Sequence, residues 1–435
     1  MMTKHVLMIA YHYPPCAVSS GQQRTFSFSR HLSAYGWEAI VLTASLSAYP
    51  RVEDDQLAEI PSTLKVVRAW AFDTVRHLSF HGRYPGWLAV PDPWVNWFVS
   101  ATWSGLQLIQ KHKPRALWST YPIATAHLIA FALHRLTGIP WIADFRDPMN
   151  EIDPVTGERW PKGPKIWWAR EWIERHTVQS CARAVFVTQS ALRIYAERYS
   201  ELPASRWALI ANGYSEESFA AAEALRNGNQ PKGGKLVLLH SGVLYPSPDR
   251  NPEHFFAALA ELRQSGKISS ESLQVILRAS SSEDLYHKQL LALGIEDIVT
   301  LEPSLAYNRA LAEMLNVDGL LVFQGHDSNS AIPAKLYEYI RARRPIFAMV
   351  DENGDTATLL REANVGTLVP LDSRERIATG LLQFLEQLRN GSAPIAADAE
   401  IERHSRRHKA LELAGVLEEA AGDLGQGKKN LENHS

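Results

Sequence analysis

Two successive α/β units, each a set of parallel strands joined by crossover helices, are what the sequence predicts. Three observations carry that expectation. Short apolar runs of strand length alternate with amphipathic helical stretches along most of the chain. The alternation stops at a polar segment near residues 205–233, which contains "NGNQPKGG", and then restarts. The length of 435 residues suffices for two or three domains with full cores.

In order, "HVLMIAY" reads as a strand, "QRTFSFSRHLSAY" as a helix closed by Gly36, and "EAIVLTA" as a second strand. "RALWST", "PWIADF", "RAVFVTQ" and "WALIAN" follow, each beside a helix-like stretch. After the break, "KLVLLHSG", "LQVILRA", "IVTLEP", "DGLLVFQ", "PIFAMV" and "GTLVP" are the strands of the second unit. "PEHFFAALAELRQ" and "RALAEMLN" are among its helices. A last helix, "EIERHSRRHKALELAGVLEEAA", has no strand of its own, and the polar "GQGKKNLENHS" reads as a disordered tail. The expected limits are a first domain over 1–205, a second over 206–400, a terminal helix over 401–424 and a tail over 425–435.

Composition narrows the function. The net charge of -2 does not suggest bulk nucleic-acid binding. The charge is uneven, however. Residues 1–205 hold 21 Lys+Arg against 16 Asp+Glu, which gives +5, and the rest of the chain carries -7. A basic first half suits an anionic surface or substrate, although scatter of a few charges reads equally well. Two cysteines, Cys16 and Cys181, allow no disulfide framework or zinc spacing and fit a reducing, cytoplasmic setting. Neither a signal peptide nor a membrane span is expected; the apolar "LIAFAL" is broken by His134 and Arg135.

Ligands of such folds sit at the carboxyl ends of the strands, so polar residues directly after strands are the site candidates. Strand one runs into "YHYPPCAVSSGQQR". Ser20 and Gly21 precede a helix start there, where backbone N–H groups attract anions. "PWIADF" runs into "RDPMN", and Asp144, Arg146 and Asp147 cluster at that junction. Three charges after a buried strand are paired structurally or used.

In the second unit, Gly242 follows the first strand and permits close backbone approach. Arg250 lies just before a helix, placed to meet a phosphate with its fork, or to sit solvated in a loop. "GHDSNSAIPAKLYEYIRARRP" follows a later strand. Pro333 marks a helix start, Arg344-Pro345 stops it, and an apolar strand begins at Ile346. Backbone N–H groups from Ser330, Ala331 and their neighbours face an anion at this start. Lys335 adds charge. Glu338, one turn deeper, is an acceptor for sugar hydroxyls, with Ala334 and Ala342 leaving room. The plainer reading of Lys335 and Glu338 is a solvated pair. His240 is the histidine closest to this group, and a buried structural role also fits it.

Other chemistries are missing from the sequence: a P-loop, a dinucleotide glycine fingerprint, a nucleophile elbow, and aspartates one residue apart to hold a metal-bound nucleotide. The segment "RYPGWLAVPDPWVNWFVSATWSGLQLIQKHK" is aromatic and amphipathic. Its Trp87, Trp94, Trp97 and Trp103 belong to a core helix or touch a membrane interface.

Taken in order, "YHYPP…SSGQQR", "VPDPWVNW", "IPWIADFRDP", "FVTQSAL", "IANGYSEESF", "LHSGVLY" and "IPAKLYEYIRARRPI" resemble a GT-B glycosyltransferase of the family 4 type. The resemblance spans nearly the whole chain. It implies two Rossmann-like domains facing a cleft, with the C-terminal helix crossing back to the first domain. It implies a donor site mostly in the second domain and an acceptor site mostly in the first. Glu338 matches the glutamate that binds the donor ribose, and Arg250 and Lys335 match basic residues at the diphosphate. The base would lie near Leu301 to Pro303. Three positions depart from the family pattern. Ser330 stands where many relatives have a second glutamate, Arg146 stands where many have a histidine, and a usual Gly pair is reduced to Ser20-Gly21.

The expected function is transfer of a sugar, hexosyl in type, from a nucleotide-diphosphate sugar to a hydroxyl acceptor. By resemblance the reaction is retaining; no cofactor and no metal is expected. Catalysis is assigned to Arg250, Lys335, Asp144 and Arg146, and donor binding to Gly242, Arg250, Ser330, Ala331, Lys335 and Glu338. Ser20, Gly21 and Asp147 are assigned to the acceptor side. A lipid-linked or other glycan acceptor and a peripheral place at the inner membrane face complete the expectation. A sugar-nucleotide epimerase on the same fold and a non-catalytic nucleotide-sugar-binding subunit are the rivals.

Overall fold

The structure, a computed structural model, describes residues 4–16, 22–52, 57, 59–152, 157–225, 234–247 and 249–432, with side chains to residue 422. It divides into two compact units. The first comprises residues 1–212 with 406–435, and the second comprises 213–405.

In the first unit the strands are β1 (Lys4–Ile9), β2 (Trp37–Ala44), β3 (Lys65–Ala69), β4 (Ala116–Thr120), β5 (Trp141–Arg146), β8 (Arg183–Phe186) and β9 (Trp207–Leu209). They form one parallel sheet in the order β3-β2-β1-β4-β5-β8-β9. β6 (Glu151–Ile152) and β7 (Arg159–Trp160) make a separate antiparallel pair. The order reverses direction between β1 and β4. This is the position where doubly wound sheets open a crevice at their carboxyl edge.

The central strands are buried on both faces, which explains their unbroken apolar sequence. One face is covered by the helices Trp97–His112 and Ala124–Thr137. The other is covered by the helix Gln22–His31 and by the last helix, Arg406–Glu432, through Ala410, Leu413 and Leu417. The first helix ends as expected: a 3-10 turn over Leu32–Tyr35 closes on Gly36 at φ 82.

The second unit has β10 (Leu236–Ser241), β11 (Leu273–Arg278), β12 (Val299–Glu302), β13 (Gly319–Gln324), β14 (Ile346–Val350) and β15 (Thr367–Val369). They too are parallel, in the order β12-β11-β10-β13-β14-β15. Here the reversal falls between β10 and β13.

The expected limits need correction. β9 pairs with β8, so the first unit runs on to Asn212 instead of ending at 205. The terminal element is two helices: Asp398–Arg403 belongs to the second unit, and Arg406–Glu432 belongs to the first and runs beyond the expected 424. β3 was not foreseen. It lies at the sheet edge and carries Lys65 and Arg68, and charges of this kind blunt an edge and interrupt the apolar run by which strands are recognised.

His127 tests how the first core responds to acid. It is fully buried, Nδ1 lies 2.7 Å from Ser119 Oγ, and burial pushes its pKa down to about 3. A histidine in the unfolded chain titrates near 6.5. The unfolded state therefore binds the extra proton, and stability present above that pH is lost as pH falls. The loss from His127 is about 2 kcal/mol between neutrality and pH 5. Urea unfolding at both pH values should show His127→Phe losing less stability than wild type. Equal losses would contradict the account.

Candidate functional site

The second unit places its candidates at the β10–β13 reversal. β10 ends at Ser241, and Gly242 follows with φ 118, a left-handed backbone that favours glycine. A Cβ there would stand 3.4 Å from Lys335 Nζ. The chain from β13 enters a loop and then the helix Ala334–Arg341, preceded by Pro333. Leu336, Tyr337, Tyr339 and Ile340 bury one face of that helix. Its opposite edge is thereby held at the strand ends.

Buried polar groups brace the loop. Gln324 Nε2 donates to Ser328 O (2.6 Å) and Ala331 O (2.8 Å), and Gln324 Oε1 accepts from Thr356 Oγ1. Asn329 Nδ2 donates to Asp351 Oδ2 at 2.8 Å. The loop is tied by side chains to β13, to the end of β14 and to the helix Asp355–Glu362.

Lys335 turns inward. Its Nζ donates to Ser241 O (3.1 Å) and to His240 Nε2 (3.0 Å), and His240 is wholly buried. The solvated Lys335–Glu338 pair is therefore set aside. Burial, then the charge of Arg250, pushes Lys335 down to about 7, with Glu338 acting in the opposite direction. Burial, then Lys335, pushes His240 well below the ordinary histidine value. Tyr339 OH accepts from Ser241 N at 2.9 Å and so fixes the strand end to the helix. Glu338 Oε1 accepts from Tyr307 OH at 2.7 Å.

Arg250 lies over the Tyr245 ring at 5.5 Å, with Asp249 Oδ2 3.3 Å from its Nε. The Asp249 carbonyl accepts from Gly325 N, which joins this loop to the end of β13. Gly242, Arg250, Lys335 and Glu338 are thus assembled around one strand-end crevice. Two expectations fail here. Ala342 is 3% exposed and packs inside, so it leaves no room for a sugar. The Ala331 N–H is committed to Ser328 O at 2.9 Å, and Pro333 has none, so the helix entry offers fewer anion donors than expected. The loop beside the expected base position is held by Arg278, whose Nη1 donates to Pro303 O at 2.8 Å.

The first unit corrects the role of Asp144. Its side chain is fully buried. Arg24 Nη2 donates to Oδ1 at 2.9 Å, Arg24 Nε to Oδ2 at 3.1 Å, and Thr120 Oγ1 to Oδ2 at 2.9 Å. Arg24 also donates to Ile210 O (2.8 Å) and Ala211 O (3.0 Å). Asp144 is a buried counter-ion that binds β5 to the first helix and to the segment after β9, not a group turned to a ligand. The sequence pointed to Arg146 as the neighbouring charge; the actual partner is Arg24, from the quoted "GQQR".

Arg146 stands at φ 61 where the β5–β8 register shifts, and its Nη1 donates to Tyr121 O at 3.4 Å. Asp147 is exposed next to it. Ser20 and Gly21 lie outside the described residues. Sequence reasoning missed His12 and Arg170. Burial, then the charge of Arg146, pushes His12 down to about 4. Arg170 Nη1 donates to Tyr121 OH at 3.0 Å. His12 follows β1 and Tyr121 follows β4, so this cluster occupies the β1–β4 reversal. Its signal was the position of His12 three residues beyond a strand.

The four tryptophans divide. Trp97 is buried and Trp94 packs against the core, whereas Trp87 and Trp103 are 72% and 65% exposed. Phe80, Trp70, Trp160 and Trp168 are exposed in the same unit. No helix among the described residues is long and apolar enough to cross a membrane. Among the same residues, no three His, Cys, Asp or Glu side chains converge on a metal position.

Residues 21–213 match the family of the glycosyl transferase 4-like domain. No curated protein matches the chain. Among solved structures, the Anabaena protein HepE in complex with UDP and glucose is similar at TM-score 0.61 and 13% identity, over 96% of this chain and 100% of that one. Sucrose-phosphate synthase from Thermosynechococcus elongatus is similar at TM-score 0.57 and 14% identity, over 99% and 100%. A putative UDP-N-acetylglucosamine 2-epimerase from Listeria monocytogenes is similar at TM-score 0.55 and 11% identity, over 95% of each chain. At these identities the likeness concerns the fold.

Proposed function

We propose that the chain is a GT-B glycosyltransferase, given the glycosyl transferase 4-like match over residues 21–213 and the shared fold, and that it transfers a sugar from a nucleoside-diphosphate sugar to a hydroxyl acceptor. The observation that supports this most is the convergence of Gly242, Arg250, Lys335 and Glu338 at the β10–β13 reversal. Two cations beside a glycine-lined strand end suit a diphosphate, and a carboxylate one turn away suits ribose hydroxyls. HepE, which shares the fold, was solved with UDP and glucose.

In this reading Arg250 and Lys335 neutralise the leaving diphosphate. Catalysis then rests on charge stabilisation and on the placement of the acceptor hydroxyl. We read the reaction as hexosyl transfer with retention of configuration, as the resemblance implies. The basic side chains take the role that a divalent ion fills in other transferases, so activity should persist in EDTA. Full loss in chelator, restored by Mn²⁺ or Mg²⁺, would contradict this.

The acceptor is assigned to the first unit, at His12, Arg146 and Arg170. Arg146, Arg170 and the +5 balance of residues 1–205 favour an anionic acceptor such as a polyprenyl-diphosphate-linked sugar, to which the neutral His12 adds no charge. The exposed aromatics suit a peripheral place at the cytoplasmic membrane face. Flotation with anionic vesicles at low salt should carry the protein upward, and Trp87→Ser with Trp103→Ser should weaken it. Absence of flotation, with good turnover on a small soluble acceptor, would remove the membrane part.

Incubation with a nucleotide sugar tests the activity. Transfer to an added acceptor is the expected result. An epimerised nucleotide sugar formed without acceptor would favour the epimerase reading, and tight binding with no turnover on any acceptor would support a non-catalytic subunit.

A further inference from the structure

Lys335 carries three N–H donors, and two of them have protein partners, His240 and Ser241. Which proton His240 carries follows from its other contact. His240 Nδ1 lies 3.0 Å from Leu321 O. A carbonyl oxygen only accepts, so Nδ1 holds the ring proton. Nε2 is then a bare lone pair, and it accepts from Lys335 Nζ. The ring is further held edge-on against Phe323 at 5.0 Å between centroids. Tautomer and orientation of a wholly buried imidazole are both fixed, and the free lone pair is spent on one flexible side chain.

We propose that His240 is a positioning residue of the donor site, a tautomer-locked acceptor that aims the Lys335 ammonium across Gly242 at the diphosphate. The proposal rests on the donor-site reading given above. With two donors held by His240 Nε2 and Ser241 O, a single N–H of Lys335 is left for a ligand. Gly242 keeps the approach open, since a Cβ there would meet Nζ at 3.4 Å.

The arrangement has a consequence for pH. The charged or titratable groups facing Lys335 are Glu338 and Tyr339 from its own helix, His240 from β10, and Arg250 from the following loop. Burial and Arg250 favour the neutral amine. The lone pair of His240 favours the ammonium, which is a stronger, charge-assisted donor to it than the neutral amine. A bound diphosphate raises the Lys335 pKa, so binding takes up a proton above the pKa of the empty site. Affinity then falls as pH rises through neutrality, by up to about tenfold per unit.

Calorimetric titration of UDP, with GDP in parallel, from about pH 6 to pH 9 tests the proposal. His240→Phe keeps ring volume and removes the lone pair. It should weaken binding roughly tenfold at neutral pH, the scale of one hydrogen bond to a charged group. It should also move the fall in affinity to lower pH. His240→Gln, which keeps an acceptor oxygen, should recover most of both. A purely structural role would lower the melting temperature and leave the pH midpoint in place. If Lys335→Met weakens binding while His240→Phe matches wild type in affinity and midpoint, the proposal is overturned. If Lys335→Met itself binds UDP and GDP as wild type does, the donor-site reading fails and the proposal with it.

Discussion

Asp144→Ala should destabilise the first unit by about 3–5 kcal/mol, the usual loss when one member of a buried ion pair is removed. The partner left behind is Arg24, 7% exposed, whose guanidinium would retain only the carbonyls of Ile210 and Ala211. Asp144→Asn should also be costly, because it keeps volume yet leaves the cation uncompensated. The double variant Asp144→Leu with Arg24→Met removes both charges and should recover part of the loss. Chemical denaturation measures all three. A catalytic Asp144 makes the opposite forecast: turnover would collapse while stability hardly changed.

Arg250→Ala should lower turnover by about 10²–10³-fold, the loss typical of one group aimed at developing charge. Its effect on donor binding should be smaller, because charge on the leaving diphosphate peaks in the transition state. The structure adds a reason for the size of the effect. Arg250 is close enough to disfavour the charge of Lys335, which burial and then Arg250 push down to about 7. A dianionic leaving group relieves that repulsion. Steady-state kinetics with a saturating acceptor separates kcat from KM. A rise in KM with kcat unchanged would place Arg250 in ground-state binding alone.

The fold was legible because parallel strands buried on both faces write themselves as apolar runs, and twelve of them were expected in the right order. β3 escaped because its edge position admits Lys65 and Arg68. The second-unit candidates could be grouped for a similar reason: Gly242, Arg250, Lys335 and Glu338 all follow strands that flank one topological reversal. What local sequence could not convey was pairing across the chain. Asp144 and Arg24 are 120 residues apart, and Lys335 and His240 are 95 apart. No helical or strand period relates such residues. Ala342 misled because helical spacing from Glu338 gives a face, whereas burial depends on what packs there.

The most direct test of the central claim is calorimetric titration of UDP into wild type and Glu338→Ala, with GDP in parallel. Glu338 is held by Tyr307 OH at 2.7 Å, so its carboxylate is already oriented. Hydrogen bonds to a charged group contribute about 1.5–3 kcal/mol. Loss of those to ribose should therefore weaken binding roughly 10- to 100-fold. Glu338→Gln keeps one acceptor oxygen and should lose less, and both variants should melt near wild type. Unchanged nucleotide affinity in Glu338→Ala would contradict the assignment of this crevice to a nucleoside diphosphate.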